Sequence, residues 1–211
     1  MKNYDFAAVP PSVRYKLLVG AVVPRPIALV TTMDEAGNLN AAPFSFFNVL
    51  SHDPAIVALG VERRGDGRPK DTVRNIELAG EFVVNLVDEA MGSGMNICGA
   101  DFEPGVDELR MAGFDPAPST KVKVPRIAQA PVALECRLQQ DIRLGNENKR
   151  AIFLGEVVAL SIREDLVDPA NDRVHTDRLN LLGRLAGGGY VRLTDRLEIP
   201  RVVPDQMLRK S

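Results

Sequence analysis

Arg25-Pro26-Ile27-Ala28-Leu29-Val30-Thr31-Thr32-Met33-Asp34-Glu35-Ala36-Gly37-Asn38-Leu39-Asn40-Ala41-Ala42-Pro43-Phe44-Ser45-Phe46-Phe47-Asn48 is the stretch whose reading decides the fold. Ile27 to Val30 is an unbroken apolar run that ends in two threonines, which suits a buried strand. Asp34 to Asn38 supplies turn residues, with Gly37 free to take positive φ. The return segment breaks the strand rules. Pro43 has no N–H to give a ladder, so it marks an edge or a bulge. Around it lie the small residues Ala41, Ala42 and Ser45 and three of the chain's 8 phenylalanines. Small residues beside a proline let a ligand come close to the backbone. The segment reads as a wall against which a flat, polar-edged molecule is laid.

Outward from that wall, residues 1–24 are punctuated by Pro10, Pro11 and Pro24 and form an arm expected to pack on the domain or on a partner subunit. Residues 12–18 suggest a short helical turn capped by Ser12. Residues 50–54 read as a turn, because Asp53-Pro54 disfavours helix, and 55–61 as another apolar strand. Residues 62–69 form a charged loop with Arg63, Arg64 and Arg68. Val73, Ile76 and Ala79 then recur at helical spacing and Gly80 is a natural stop. Lys70, Asp71 and Thr72 therefore fall at a helix N-terminus, where backbone N–H groups and the helix dipole favour an anion.

Residues 81–87 predict a strand, 88–97 a helix weakened by Gly92 and Gly94, and 106–112 a short helical piece within a loop; 115–123 read as irregular. Residues 132–144 alternate, with Val132, Leu134, Cys136 and Leu138 on one side and Glu135, Arg137 and Gln139 on the other. Residues 145–148 form a hairpin turn and 149–163 the returning strand, with Gly155 as a bulge. A short helix is expected near 178–182, a last strand after Gly187-Gly188-Gly189-Tyr190, and a polar tail from Pro200. Strands in hairpin pairs with few helices argue for a mainly β, antiparallel barrel or sandwich with helical insertions.

Composition excludes several function classes. The 26 Lys and Arg against 28 Asp and Glu give a net charge of −2, so there is no basic field for nucleic acid or acidic membranes. No run approaches the ~18 apolar residues of a membrane span, and the N-terminus shows no secretory signal, so a cytoplasmic location is expected. Two cysteines, Cys98 and Cys136, in unrelated contexts specify neither a disulfide framework nor a metal site. No GxGxxG or GxxxxGK[ST] follows a strand.

Taken in order, Arg25-Pro26-Ile27-Ala28-Leu29-Val30-Thr31-Thr32, Asp34-x-x-Gly37-x-x-Asn40, Ala42-Pro43-Phe44-Ser45-Phe46-Phe47-Asn48, Asp53-Pro54 and Lys70-Asp71-Thr72-x-x-Asn75-Ile76 resemble the flavin reductase-like FMN-binding split-barrel family, flavoredoxin-like branch. Gly80-Glu81-Phe82-Val83-Val84-Asn85 and Gly155-Glu156-Val157-Val158 extend the likeness, which spans roughly residues 20 to 165. The resemblance implies an antiparallel split barrel of Greek-key type and a homodimer with FMN at the subunit interface. It implies an arm over 1–24, an FMN-binding core over 25–165 and a C-terminal extension over 166–211 that packs on the core or the dimer partner. By resemblance, FMN contacts fall to Thr31, Thr32, Ala42, Pro43, Phe44, Ser45, Phe46, Asn48, Arg63, Lys70, Asp71 and Thr72. Arg25, His175 and Tyr190 are placed near the flavin.

The implied activity is that of an NAD(P)H-dependent flavin reductase, with NADH or NADPH as electron donor. Two alternatives stay open: an FMN electron carrier reduced by a protein partner, and a non-catalytic flavin-binding protein. A monooxygenase or another redox protein is the partner class. Many nicotinamide-using members carry a histidine in the turn that here reads Gly145-Asn146-Glu147-Asn148, and this chain's only histidines are His52 and His175. No catalytic residue is assigned, because the cofactor carries the hydride chemistry.

Overall fold

The computed structural model describes residues 1–62, 69–103, 105–145 and 150–201. Helix α1 (Pro11–Ala21) opens the chain, with Pro10 in the cap position. Ser12 is not its cap: Pro11, with its fixed φ and missing N–H, suits the first helical turn and starts the helix a residue earlier. Strand β1 (Arg25–Pro26) leads into β2 (Ala28–Met33), β3 (Leu39–Phe44), β4 (Phe47–His52) and β5 (Ala55–Glu62). Leu50, Ser51 and His52, expected in a turn, belong to β4, and the turn narrows to Asp53 and Pro54.

Helix α2 (Asp71–Ala79) ends at Gly80, whose φ of 67° is the left-handed conformation a helix stop requires. Strand β6 (Glu81–Leu86), α3 (Gly92–Cys98) and α4 (Glu108–Met111) follow. The helix expected over 88–97 begins only at Gly92, after a turn in which Asp88 accepts the Met91 N–H. In the segment 115–123, read as irregular, β7 (Pro116–Ala117) forms and pairs with β8 (Arg126–Ile127) beyond it. The long hairpin β9 (Val132–Leu144) and β10 (Arg150–Ile162) has the expected extent, and its register shifts at Leu154/Gly155, the place of the expected bulge. Residues 146–149, which include most of the hairpin turn expected at 145–148, lie outside the described residues. The short β11 (Val167–Asp168), β12 (Arg173–Val174), β13 (Leu182–Arg184) and β14 (Tyr190–Arg192) complete the chain. No helix forms at 178–182; Leu181 bridges to Asp88 and Leu182 enters β13, because tertiary pairing outcompetes a weak local preference.

The main sheet has seven antiparallel strands in the order β3-β2-β6-β9-β10-β5-β4. Its two outermost strands, β3 and β4, are consecutive in sequence, with only Ser45 and Phe46 between them. A sheet whose far edges are joined by so short a link must curl until those edges meet, yet β3 and β4 form no ladder. The result is a split barrel. Pro43 sits on the edge strand β3, where its missing N–H costs no ladder bond.

Inside the barrel, Val30, Phe44, Phe47, Leu59, Phe82 and Phe153 pack with Ile76 of α2. A second apolar layer lies on the outer face of β2 and β3: Leu29 and Ala41 are covered by Met91, Met95, Leu109 and Ile127. Glu135, expected on the polar side of β9, is fully buried, because residues 119–124 fold across that side and bring Val122 and Val124 onto Ala133.

Candidate functional site

Arg25 opens the motif stretch and is also its anchor. Its side chain is buried at 8% exposure. Nη1 donates to the carbonyls of Val19 (2.7 Å) and Val22 (3.2 Å), Nη2 to the carbonyl of Leu185 (3.1 Å), and Nε to Ser45 Oγ (3.3 Å). One guanidinium thus ties the end of α1, the wall after β3 and the β13–β14 turn together. Between these parts lies a cleft of about 260 Å³ whose lining includes Arg25, Pro43, Phe44, Ser45, Arg184 and Tyr190.

The residues predicted to meet a ligand fall into two groups. Pro43, Phe44, Ser45, Arg25 and Tyr190 line the cleft. Ala42 is partly buried on β3, and Phe46 is 46% exposed at the barrel's split. Asn48 is exposed on β4, its Oδ1 accepting the Val49 N–H. Lys70 forms the N-cap of α2 with no side-chain cap on the helix, and its Nζ lies 5.6 Å from the centre of the Phe44 ring. The ring wall and the start of α2 therefore meet at Phe44. Asp71, partly buried, is the first residue of that helix.

The threonines stand apart. Thr31 and Thr32 are fully buried and Thr72 nearly so. Thr31 Oγ1 donates to the Pro125 carbonyl (2.7 Å) and accepts from Asn85 Nδ2 (3.3 Å). Asn75 Nδ2 donates to Thr32 Oγ1 (3.1 Å) and Asn40 Nδ2 to Thr72 Oγ1 (3.0 Å). These bonds fix the first turn of α2 against β2 and β3. Within the chain, all three hydroxyls are engaged by protein. His175 follows the β11–β12 hairpin and lies outside the cleft lining; its N–H donates to the Leu166 carbonyl. Arg63 lies outside the described residues.

Sequence reading missed Arg184 and Tyr15, which also line the cleft, and Glu108. The only sequence signal for Arg184 was its place just before the glycine turn that leads to Tyr190. Glu108 Oε2 accepts the Ala41 N–H at 3.2 Å, satisfying an outward donor of the edge strand. Burial pushes its carboxyl up, and the nearby Asp71 charge adds to the effect. Burial also raises both thiols, Cys98 and Cys136, to about 12, so neither is a thiolate nucleophile at neutral pH. The cleft lining holds no histidine and no carboxylate. It can position a bound molecule and supply positive charge, and the hydroxyls of Tyr15 and Tyr190 are the proton-carrying side chains of the acid–base kind in its lining among the described residues.

A curled antiparallel sheet split between β3 and β4, with a polar cleft beside the split, defines a split-barrel protein. The chain belongs to the flavin reductase-like domain family, whose family model matches residues 19–178. A relative from Deinococcus radiodurans of uncharacterised function is 44% identical over 206 residues, covering 95% of this chain and 89% of its own. The crystal structure of 2-nitrobenzoate 2-nitroreductase NbaA from Pseudomonas fluorescens is similar at 40% identity with a TM-score of 0.86, covering 96% of this chain and 98% of that one. Nitrilotriacetate monooxygenase component B from Bacillus cereus is 34% identical with a TM-score of 0.89, covering 94% and 98%. More distant flavin reductases and flavoredoxins share the fold.

Proposed function

We propose that the protein binds FMN and acts as an FMN-dependent oxidoreductase that takes electrons from NADH or NADPH. The observation that carries the reading is the uncapped first turn of α2, fixed by the Thr32, Asn40, Thr72 and Asn75 side chains beside Lys70 and the Phe44 ring. Such a turn presents backbone N–H groups to a phosphate, and the ammonium of Lys70 adds charge. The Ala42 to Phe46 backbone, narrow and proline-bearing, suits the edge of a flat ring. The donor set therefore fits FMN. Bound FMN accepts hydride and passes electrons on. The chain's part is to hold the phosphate, seat the ring and keep the cleft positive through Arg25.

A second copy of the chain fits the exposed edge of the barrel. Strand β4 ends the sheet and presents Val49 and Leu50 at 60% and 61% exposure, and the link before it presents Phe46 at 46%. An unpaired edge with large apolar side chains is the kind of surface an oligomer covers. The homodimer is tested by light scattering, and a monomer that still binds FMN contradicts a shared site.

Protein incubated with FMN and desalted should retain absorbance bands near ~375 and ~450 nm, the signature of bound flavin. Protein that stays colourless overturns the reading. Anaerobic NADH or NADPH should bleach the ~450 nm band. Retained flavin that neither donor bleaches selects the second reading, an electron carrier reduced by a protein partner. That reading is favoured by the absence of histidine from residues 145–148. Lys70→Ala should weaken FMN about tenfold, the loss of one charge-assisted phosphate contact, without shifting the unfolding midpoint.

A further inference from the structure

The lining of the cleft carries two guanidinium groups, Arg25 and Arg184, and no carboxylate. This is a local excess of positive charge in a chain whose acidic residues outnumber its basic ones, 28 to 26. Strand pairing sharpens the point. In the β1–β13 ladder Arg25 lies directly opposite Arg184. Directly opposed cross-strand residues project from the same face, and like charges in that arrangement are destabilising. Among the described residues no acidic side chain forms an ion pair with either one.

The two arginines differ in what they have left to give. Arg25 spends Nε, Nη1 and Nη2 on neutral oxygens and acts as a fixed charge. Arg184 is only partly buried, and its one hydrogen bond among the described residues is a long one, Nη1 to the Gly189 carbonyl at 3.4 Å. Its guanidinium lies 4.4 Å from the centre of the Tyr190 ring. A guanidinium backed by an aromatic face is held in one plane and keeps the N–H fork that matches a carboxylate in bidentate fashion. The cleft also draws two of the chain's 3 tyrosines, Tyr15 and Tyr190, which offer flat apolar walls.

We propose that this cleft is a binding site for a single-ring aromatic carboxylate, with Arg184 receiving the carboxylate and Arg25 supplying the second positive charge. The cleft's volume, about 260 Å³, lies at the small end of ligand sites and suits a single-ring molecule. The cleft shares Pro43 to Ser45 with the wall assigned to the flavin, so its ligand would sit beside the ring as an electron acceptor or as a competitor of one. That consequence rests on the FMN reading; the binding itself does not.

The test is a calorimetric titration of the purified full chain, with and without FMN, using benzoate and its uncharged isostere benzamide. Benzoate should bind about tenfold more tightly than benzamide, the scale of one charge-assisted bidentate contact. Arg184→Gln should bring benzoate down to the benzamide level. Arg192→Gln, on the same hairpin but paired with Glu89 at the surface, should leave benzoate binding unchanged. Equal affinity for the two probes in the wild type overturns the proposal, and this comparison needs no variant. Benzoate preference surviving in Arg184→Gln also overturns it, as does FMN displacing benzoate, which would make the cleft the flavin's own. A protein that binds no FMN yet discriminates benzoate from benzamide refutes the FMN reading and leaves this one standing.

Discussion

Gly155→Val is expected to lower the unfolding free energy by about 3 kcal/mol, the upper end of the usual cost of overpacking a core. Gly155 lies in β10 opposite Leu138 of β9 and Val57 of β5, at a register shift. A Cβ at this position would stand 2.5 Å from Phe82 Cζ, 2.9 Å from Phe82 Cε1 and 3.3 Å from the Cys136 Cβ. Phe82 is fully buried among Val30, Leu59, Ile76 and Phe153, so its ring has nowhere to turn. The two methyls of valine add to that collision. Urea unfolding should show the loss as a lower midpoint with an unchanged slope; a midpoint equal to wild type would mean that the strands slide to make room. Gly155→Ala should fall between the two.

Glu135→Gln is expected to cost about 3 kcal/mol at neutral pH, because a buried acceptor of several donors is replaced by an amide that brings two donors of its own. The Glu135 carboxylate accepts from the N–H groups of Thr120 (2.8 Å), Lys121 (2.6 Å) and Val122 (3.3 Å) and from Thr120 Oγ1 (3.0 Å). Burial alone would push its carboxyl up. The donors from Thr120, Lys121 and Val122 outweigh that and hold it below its ordinary 4.5. The folded state therefore binds the proton less readily than the unfolded chain. The stabilisation is complete above about pH 4.5 and is lost as pH falls from there through the lower folded value. Unfolding midpoints of wild type and Glu135→Gln should differ most at neutral pH and converge in acid. A gap that does not narrow below about pH 4.5 would show that the loss comes from packing and not from the carboxylate.

These two residues mark where the sequence was and was not legible. The bulge at Gly155 was readable because a lone glycine inside a long alternating strand leaves no side chain to pack, and strands place one there where the ladder kinks or another group presses close. Helix α2 was readable because Val73, Ile76 and Gly80 agree on period and stop. Glu135 was misread by the same logic of alternation. Period two separates the faces of a strand, but it does not say whether the outer face meets solvent or another segment of chain. The cover over Glu135 comes from residues 119–124, whose composition gives no period at all. In the site, the wall from Pro43 to Ser45 and the Lys70 cap were visible as local exceptions to strand and helix rules. Arg184 was invisible, since its meaning depends on a register with Arg25 that joins opposite ends of the chain.

That register also sets an order of assembly. As the chain leaves the ribosome, α1 and β1 emerge before the barrel strands, whereas the β13 strand that pairs with β1 and the Leu185 carbonyl that completes the Arg25 clamp emerge after them. Until β13 is made, β1 has no sheet partner and the cleft lacks one of its walls. The barrel strands β2 to β6, β9 and β10 are all translated before the cleft can close. The cleft therefore matures after the barrel strands, and a chain cut short before β13 would carry a barrel sequence without a finished pocket.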